Sequence, residues 1–170
     1  MLLYLILYQL NLRYKAEEMG IKVVATNKQV YHNYQILETY EAGMVLTGTE
    51  VKSLREGNVN MRDAYVRIED GEAYIVNLYI GPYKPAGRLQ HDPTRKRKLL
   101  LHKREILKLM GRIQEKGLTL VPTKIYFKNG KAKVEIALAK GKAKYEKREA
   151  LRERDMKREL AKKYKGKIKL

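Results

Sequence analysis

Two dipeptides, Asp70-Gly71 and Asn129-Gly130, constrain the fold of this chain more than any other feature. Both accept the positive φ angles of a two-residue hairpin turn, a backbone state that β-branched residues avoid. The first separates AYVRIE from EAYIVNLYI and the second separates KIYFK from KAKVEIALA, so each joins two antiparallel strands. Between Val30 and Ala139 the same pattern of short β-branched and aromatic runs with turn residues continues, and the body reads as mainly β. Tyr34 to Glu41 and Met44 to Thr49 read as two short strands around Ala42-Gly43. TEVKSLREG reads as a short helix, capped by Thr49 and ended by Gly57. A longer helix is expected from about Lys103 to Lys116, with Ile106, Leu109, Met110 and Ile113 on its apolar face and Gly117 beyond it. Gly111 weakens that helix by about 1 kcal/mol relative to alanine. Short strands with two interposed helices imply a closed or partly open barrel, because closure removes exposed strand edges.

Charge narrows the partners. The 170 residues carry 37 Lys and Arg against 19 Asp and Glu, a formal +18 that favours a polyanion and most often nucleic acid. Residues 140–170 contribute 14 of those cations and only 5 acids, so the C-terminus is a separate electrostatic unit. Its apolar residues Met156, Leu160 and Tyr164 form too thin a stripe to bury a helix, and the tail is expected to be disordered when free and helical once a polyanion neutralises it. The first ten residues, MLLYLILYQL, are nearly all apolar, but the run ends at Gln9, short of the roughly 20 residues needed to span a bilayer, and no cleavage site follows. The division expected is a mobile extension over 1–26, with Met19 as a candidate native start, a β-barrel body over 27–139 that binds nucleic acid and a basic tail over 140–170. The chain has no cysteine, which excludes disulfides and thiolate chemistry and suits a cytoplasmic location.

Catalytic readings find little support. His32, His91 and His102 do not pair at metal-ligand spacing, and His91-Asp92 sits in a turn where adjacent side chains diverge. GKAKYEK lacks the spacing of a phosphate-binding loop. Glu38, Glu41 and Glu50 could hold magnesium in a nuclease, but in so basic a chain they read better as partners of neighbouring cations. Neither an enzyme nor a cofactor is expected. The 13 tyrosines read mostly as core, with Tyr31 and Tyr34, beside Asn27, Lys28 and His32, as candidates for RNA contact.

The stretch HDPTRKRKLLLHKREI combines cations with three leucines. Arg95, Lys96, Arg97 and Lys98 follow the Asp92-Pro93 turn and can flank an RNA backbone, while strand alternation sends Leu99 and Leu101 to one face and Leu100 to the other with Lys98 and His102.

NKQVYHNYQILETYEAGMVLTGTEVKSLREGN, DAYVRIEDGEAYIVN, HDPTRKRKLLLHKREI, GLTLVP and GKAKYEKRE, in this order, resemble the SsrA-binding protein family, SmpB, the protein partner of transfer-messenger RNA. The resemblance implies an oligonucleotide-binding-type β-barrel with packed helices and a basic tail, no catalysis, and action as a monomer in the complex, away from any membrane. It implies binding to the tRNA-like domain of transfer-messenger RNA, support of its alanylation, and delivery to stalled ribosomes, where the tail meets ribosomal RNA. Motif by motif, RNA contact falls on Asn27, Lys28, Glu41, Leu100 and His102. His32, Tyr34, Arg97, Lys98 and Lys103 join them from the basic, aromatic setting. The ribosome-binding tail motif falls on Gly141, Lys142, Lys144, Glu146, Lys147 and Arg148. Ala143 stands where the family usually has a second lysine, and Glu146 where it has aspartate. Leu100 has two readings, packing against RNA or lying buried under the helix that follows. The alternative function is a general RNA-binding or ribosomal protein on the same barrel.

Overall fold

The computed structural model describes residues 20–115 and 117–165. The expectations for residues 1–18 and for Met19 as a start therefore lie outside the described residues. In chain order the elements are β1 (Ile21–Thr26), α1 (Lys28–Asn33), β2 (Tyr34–Met44), α2 (Gly48–Arg55), β3 (Val59–Asn60), β4 (Tyr65–Glu69), β5 (Glu72–Val76), β6 (Tyr79–Ile80), β7 (Arg97–Leu100), α3 (Lys103–Arg112), β8 (Leu118–Lys128), β9 (Lys131–Gly141) and α4 (Lys144–Lys165). The fold is mainly β with helices packed on it.

Both hairpins form as the turn chemistry requires. Asp70 and Gly71 adopt φ of 51° and 73°, and Asn129 and Gly130 adopt 50° and 76°, so Glu69 pairs with Glu72 and Lys128 with Lys131. Antiparallel pairing then runs β8-β4-β5-β7-β2-β9, and β9 pairs back onto β8, which makes a hydrogen-bonded ring of strands. β1 adds to the other half of β8, with Ile21 opposite Lys128. Residues 21–26 thus belong to the sheet, a correction to the mobile extension expected there. In the core shared by the ring and the elements packed on it, Leu54, Ile75, Leu78, Ile80, Leu99, Leu109, Leu120, Ile125, Ile136 and Leu138 are fully buried, each contributing roughly 1.5–3 kcal/mol of apolar burial.

Four local expectations change. Residues 34–44 form one strand rather than two, because Ala42-Gly43 stays extended and pairs with Val134 and Lys133; Val45 to Thr47 leave the sheet. The α2 cap is Thr47 and not Thr49, since Val51 N–H bonds the Thr47 carbonyl at 3.1 Å. Gly57, at φ 76°, does end that helix, its N–H reaching the Leu54 carbonyl at 3.0 Å. α3 stops at Arg112, earlier than expected, as Glu115 N–H turns back to the Arg112 carbonyl at 3.1 Å. Among the described tyrosine side chains only Tyr126 is buried, so the rings serve the surface more than the core.

The tail also departs from expectation: residues 144–165 are helical in this structure. Its residues are mostly strong helix formers, with Glu and Arg or Lys at spacings that place opposite charges together. Glu146 Oε2 accepts the Ala143 N–H at 2.8 Å, which satisfies an end the sequence leaves without a polar cap. Lys142 fastens the start of the helix to the body, its N–H reaching the Asn33 carbonyl at 2.9 Å. Leu151, Met156 and Leu160 remain exposed, as the thin stripe implied.

Candidate nucleic-acid interface

The register of the ring places one row of side chains on its outer surface. Leu100 on β7 pairs with Gly43 on β2, Gly43 with Lys133 on β9, and Lys133 with Tyr126 on β8. Paired residues of neighbouring strands point to the same face, so these four cross three strand boundaries side by side. Leu99 is 1% exposed and Leu100 56%, while Leu101 packs against the core. The alternation expected for the three leucines is what the strand adopts, and Leu100 is not buried under α3. Gly43 has a specific role beneath it: a Cβ there would stand 3.3 Å from Leu100 Cβ, so glycine lets the leucine lie flat over the strand.

Cations and rings extend the row. Lys98, two residues before Leu100, pairs across with Tyr74, and Tyr74 with Arg67. Lys96 lies 4.6 Å over the Tyr74 ring and 2.7 Å from Glu69. On the other flank Glu41 accepts a hydrogen bond from the Tyr126 hydroxyl and another from Lys128 Nζ at 3.3 Å. The Tyr126 hydrogen bond, with help from Lys128 and against the effect of burial, holds the Glu41 carboxyl below its ordinary value. Burial, and then Glu41, push the Tyr126 phenol well up. At neutral pH the site therefore holds a carboxylate that fixes a neutral phenol and an ammonium. His102 and Lys103 are exposed where β7 passes into α3, and Glu105 Oε2 accepts the His102 N–H at 2.9 Å. Glu41, Lys98, Leu100, His102 and Lys103 thus share one corner of the molecule.

Other predicted residues lie elsewhere. Lys28, His32 and Tyr34 sit around α1, at the opposite end of β2, roughly 20 Å of strand from Glu41. Lys28 is exposed, while Tyr34 packs toward Val30, Val121, Ala137 and Ala139. They neighbour the tail, where Gly141 pairs with Tyr34 and Lys142 Nζ donates to the Tyr31 carbonyl at 3.3 Å. Lys147 is half-buried and Arg148 exposed; the Lys144 side chain lies outside the described residues. Glu146 is engaged in closing the end of α4, as above.

Two predicted contacts are corrected. Asn27 is buried, its Nδ2 donating to the carbonyls of Met61 at 3.3 Å and Pro122 at 3.2 Å. It fastens the end of β1 to the irregularity that Pro122 creates in β8. Arg97 is 0% exposed and cannot flank an RNA backbone. Its guanidinium bonds the equally buried Glu50 and donates to the Leu78 carbonyl at 2.7 Å and the Pro93 carbonyl at 3.1 Å. Burial alone would raise the Glu50 carboxyl, but Arg97 and then Arg95, at 2.8 Å, outweigh it and hold it below its usual value. The other acidic candidates are similarly engaged, Glu38 with Lys108 at 3.0 Å and Arg112 at 3.2 Å. The three carboxylates therefore face separate sets of cations. Sequence reasoning missed Gly43, Tyr74, Tyr126, Lys128 and Lys133. Strand alternation predicts their shared face only once the register between distant strands is known.

A strand ring whose outward face carries cations, tyrosines and the exposed Leu100 suits a small basic β protein that holds RNA. The chain belongs to the SmpB protein family, whose sequence model matches residues 24–166. It is 79% identical to the SsrA-binding protein of Persephonella marina over 152 residues, which cover 89% of this chain and all of that one. It is 62% identical to the SsrA-binding protein of Aquifex aeolicus over 148 residues, 86% of this chain and 94% of that one. A solved chain described under "tmRNA-SmpB: a journey to the center of the bacterial ribosome" superposes with a TM-score of 0.62 at 53% identity, over 75% of this chain and 94% of that chain.

Proposed function

We propose that this chain is an RNA-binding protein of trans-translation: it binds the tRNA-like domain of transfer-messenger RNA, supports its alanylation and delivers it to stalled ribosomes, where the nascent peptide is tagged. The observation that carries the reading is Leu100, half exposed over Gly43 amid Lys98, His102 and Lys133, in a chain of this family. An apolar side chain framed by cations suits a folded RNA, packing on a ribose or an unstacked base while the cations take phosphates. The name SsrA-binding protein, and a neighbour described with transfer-messenger RNA and the ribosome, support both partners. Such work belongs in the cytoplasm, and among the described residues no helix is long and apolar enough to cross a membrane. The body acts by recognition rather than catalysis, and Glu41, anchored by the buried Tyr126, positions Lys128 for contact with RNA.

The tail is assigned to the ribosome. Lys147, Arg148 and the cations that follow give α4 the sequence-independent attraction to ribosomal RNA that a delivery step needs. Cutting the chain after Gly141 keeps β9 whole, so the shortened protein should bind transfer-messenger RNA within about 3-fold of the full chain yet fail to tag stalled peptides, the 3-fold being well under the 1.4 kcal/mol of a tenfold change. Normal tagging by that protein would sink the division of labour. A general RNA-binding protein would instead hold unstructured RNA as tightly as the tRNA-like domain, which a competition titration distinguishes.

A further inference from the structure

The loop from Gly81 to Gln90 carries the most exposed large apolar side chain among the described residues, Leu89 at 82%, yet it is firmly built. The Gln90 side chain pins it from within: Oε1 accepts the Tyr83 N–H at 3.0 Å, and Nε2 donates to the carbonyls of Tyr83 at 2.7 Å and Gly87 at 3.0 Å. Lys84–Ala86 form a 3-10 turn, and Leu89 N–H reaches the Ala86 carbonyl at 3.1 Å. At the base, Ser53 Oγ donates to the Gly81 carbonyl at 2.6 Å, and Lys52 Nζ lies 5.5 Å over the Tyr83 ring. Nothing in the fold requires Leu89 at the tip, since a polar residue there would keep every one of these bonds.

The chemistry around Leu89 selects the partner. No Asp or Glu occurs between Glu72 and Asp92, while Lys84 and Arg88 are exposed on the loop and Lys52 on α2 beside it. An acid-free loop with an apolar tip beside cations is complementary to RNA: the tip meets a ribose or an unstacked base, and the cations meet flanking phosphates. Position selects which RNA. The loop rests on α2, which starts a few residues past Met44, and Leu100 pairs with Gly43 at that same end of β2. The tail leaves from the Tyr34–Gly141 pair at the other end, about 30 Å of strand away.

We infer that the Gly81–Gln90 loop is a second contact for the RNA held by the Leu100 face, transfer-messenger RNA, with Leu89 packed on a ribose or base and Lys84 and Arg88 on adjacent phosphates. The inference rests on the function proposed above. The test titrates the labelled tRNA-like domain of transfer-messenger RNA with the full chain, with Leu89→Ser and with Lys84→Ala/Arg88→Ala, alongside ribosome pelleting and thermal melts. Leu89→Ser should weaken RNA binding roughly 5- to 20-fold, within the range of single apolar or stacking contacts, with an unchanged melt and unchanged ribosome pelleting. The double variant should lower the slope of log affinity against log salt by about 1 to 2. If both variants bind the tRNA-like domain as the unaltered chain does, or lose only ribosome binding, the loop assignment is overturned. If the unaltered chain itself shows no preference for the tRNA-like domain over unstructured RNA of equal length, the proposed function falls first and this inference with it.

Discussion

Replacing Glu50 with glutamine removes a charge and almost no volume, so it isolates what the buried ion pair contributes. Arg97 would keep its hydrogen bonds to the Leu78 and Pro93 carbonyls but lose the only carboxylate bonded to it among the described residues, and both side chains are 0% exposed. Breaking one side of such a pair costs about 3–5 kcal/mol because the remaining charge stays buried. Glutamine retains a carbonyl acceptor, which places the expectation near 3 kcal/mol, or a fall in melting temperature of about 6–12 °C for a chain of this size. Thermal and urea unfolding followed by circular dichroism at pH 7 measure it. The pH dependence gives an independent check. The Glu50 carboxyl is depressed in the folded state, so its stabilisation is fully present above the unfolded value of about 4.3 and is lost as pH falls through the lower folded value. The gap between unaltered protein and Glu50→Gln should therefore close in acid below about pH 4.3, since all other carboxylates are common to both. Glu50→Leu combined with Arg97→Met removes both charges and should recover part of the lost stability, with a coupling of at least about 1.5 kcal/mol. Its RNA affinity should stay near that of the unaltered chain, because Arg97 is enclosed. Loss of less than about 1 kcal/mol in Glu50→Gln, or a gap that widens in acid, would refute the reasoning.

Leu100→Ala removes a side chain already 56% exposed, so stability should change by at most about 1 kcal/mol while RNA affinity falls roughly 5- to 10-fold in a gel-shift titration. Lost stability with unchanged affinity would return Leu100 to a structural role. Gly43→Val places a Cβ 3.3 Å from Leu100 Cβ and lifts the leucine off the strand; because valine suits an extended backbone, the melt should hold within a few degrees while RNA affinity falls at least as far as in Leu100→Ala. Glu41→Ala removes a negative charge from the surface proposed to meet RNA, yet it frees Tyr126 and Lys128 and should weaken binding several-fold, whereas pure charge reasoning expects tightening. Unchanged or tighter binding in the same titration would show that Glu41 does no positioning.

What the sequence revealed and what it hid differ in range. The two Gly-containing turns, the alternation through Leu99, Leu100 and Leu101, and the end of α2 at Gly57 are decided by residues a few positions apart, and each is legible on that scale. Arg97 is decided by Glu50, 47 positions away, and Asn27 by Met61 and Pro122, 34 and 95 positions away. A cation in a basic run and an asparagine before a strand look like surface groups until those partners are known. The same limit hid the hydrogen bonding around Glu41, since Tyr126 and Lys128 come from the far hairpin.

Gly43 shows how a residue misread locally becomes informative once register is known. Beside Ala42 it suggested a turn, because glycine is the default residue of turns. In the structure it is extended and paired on both sides, so conformational freedom is not the reason for it. The reason is the missing Cβ, which lets Leu100 lie across β2 and present a low apolar surface between Lys98 and Lys133. A leucine that the fold carries on its outside, over a glycine that makes room for it, adds little to the core. The buried Glu50–Arg97 pair joins α2 to β7, the strand that ends at Leu100.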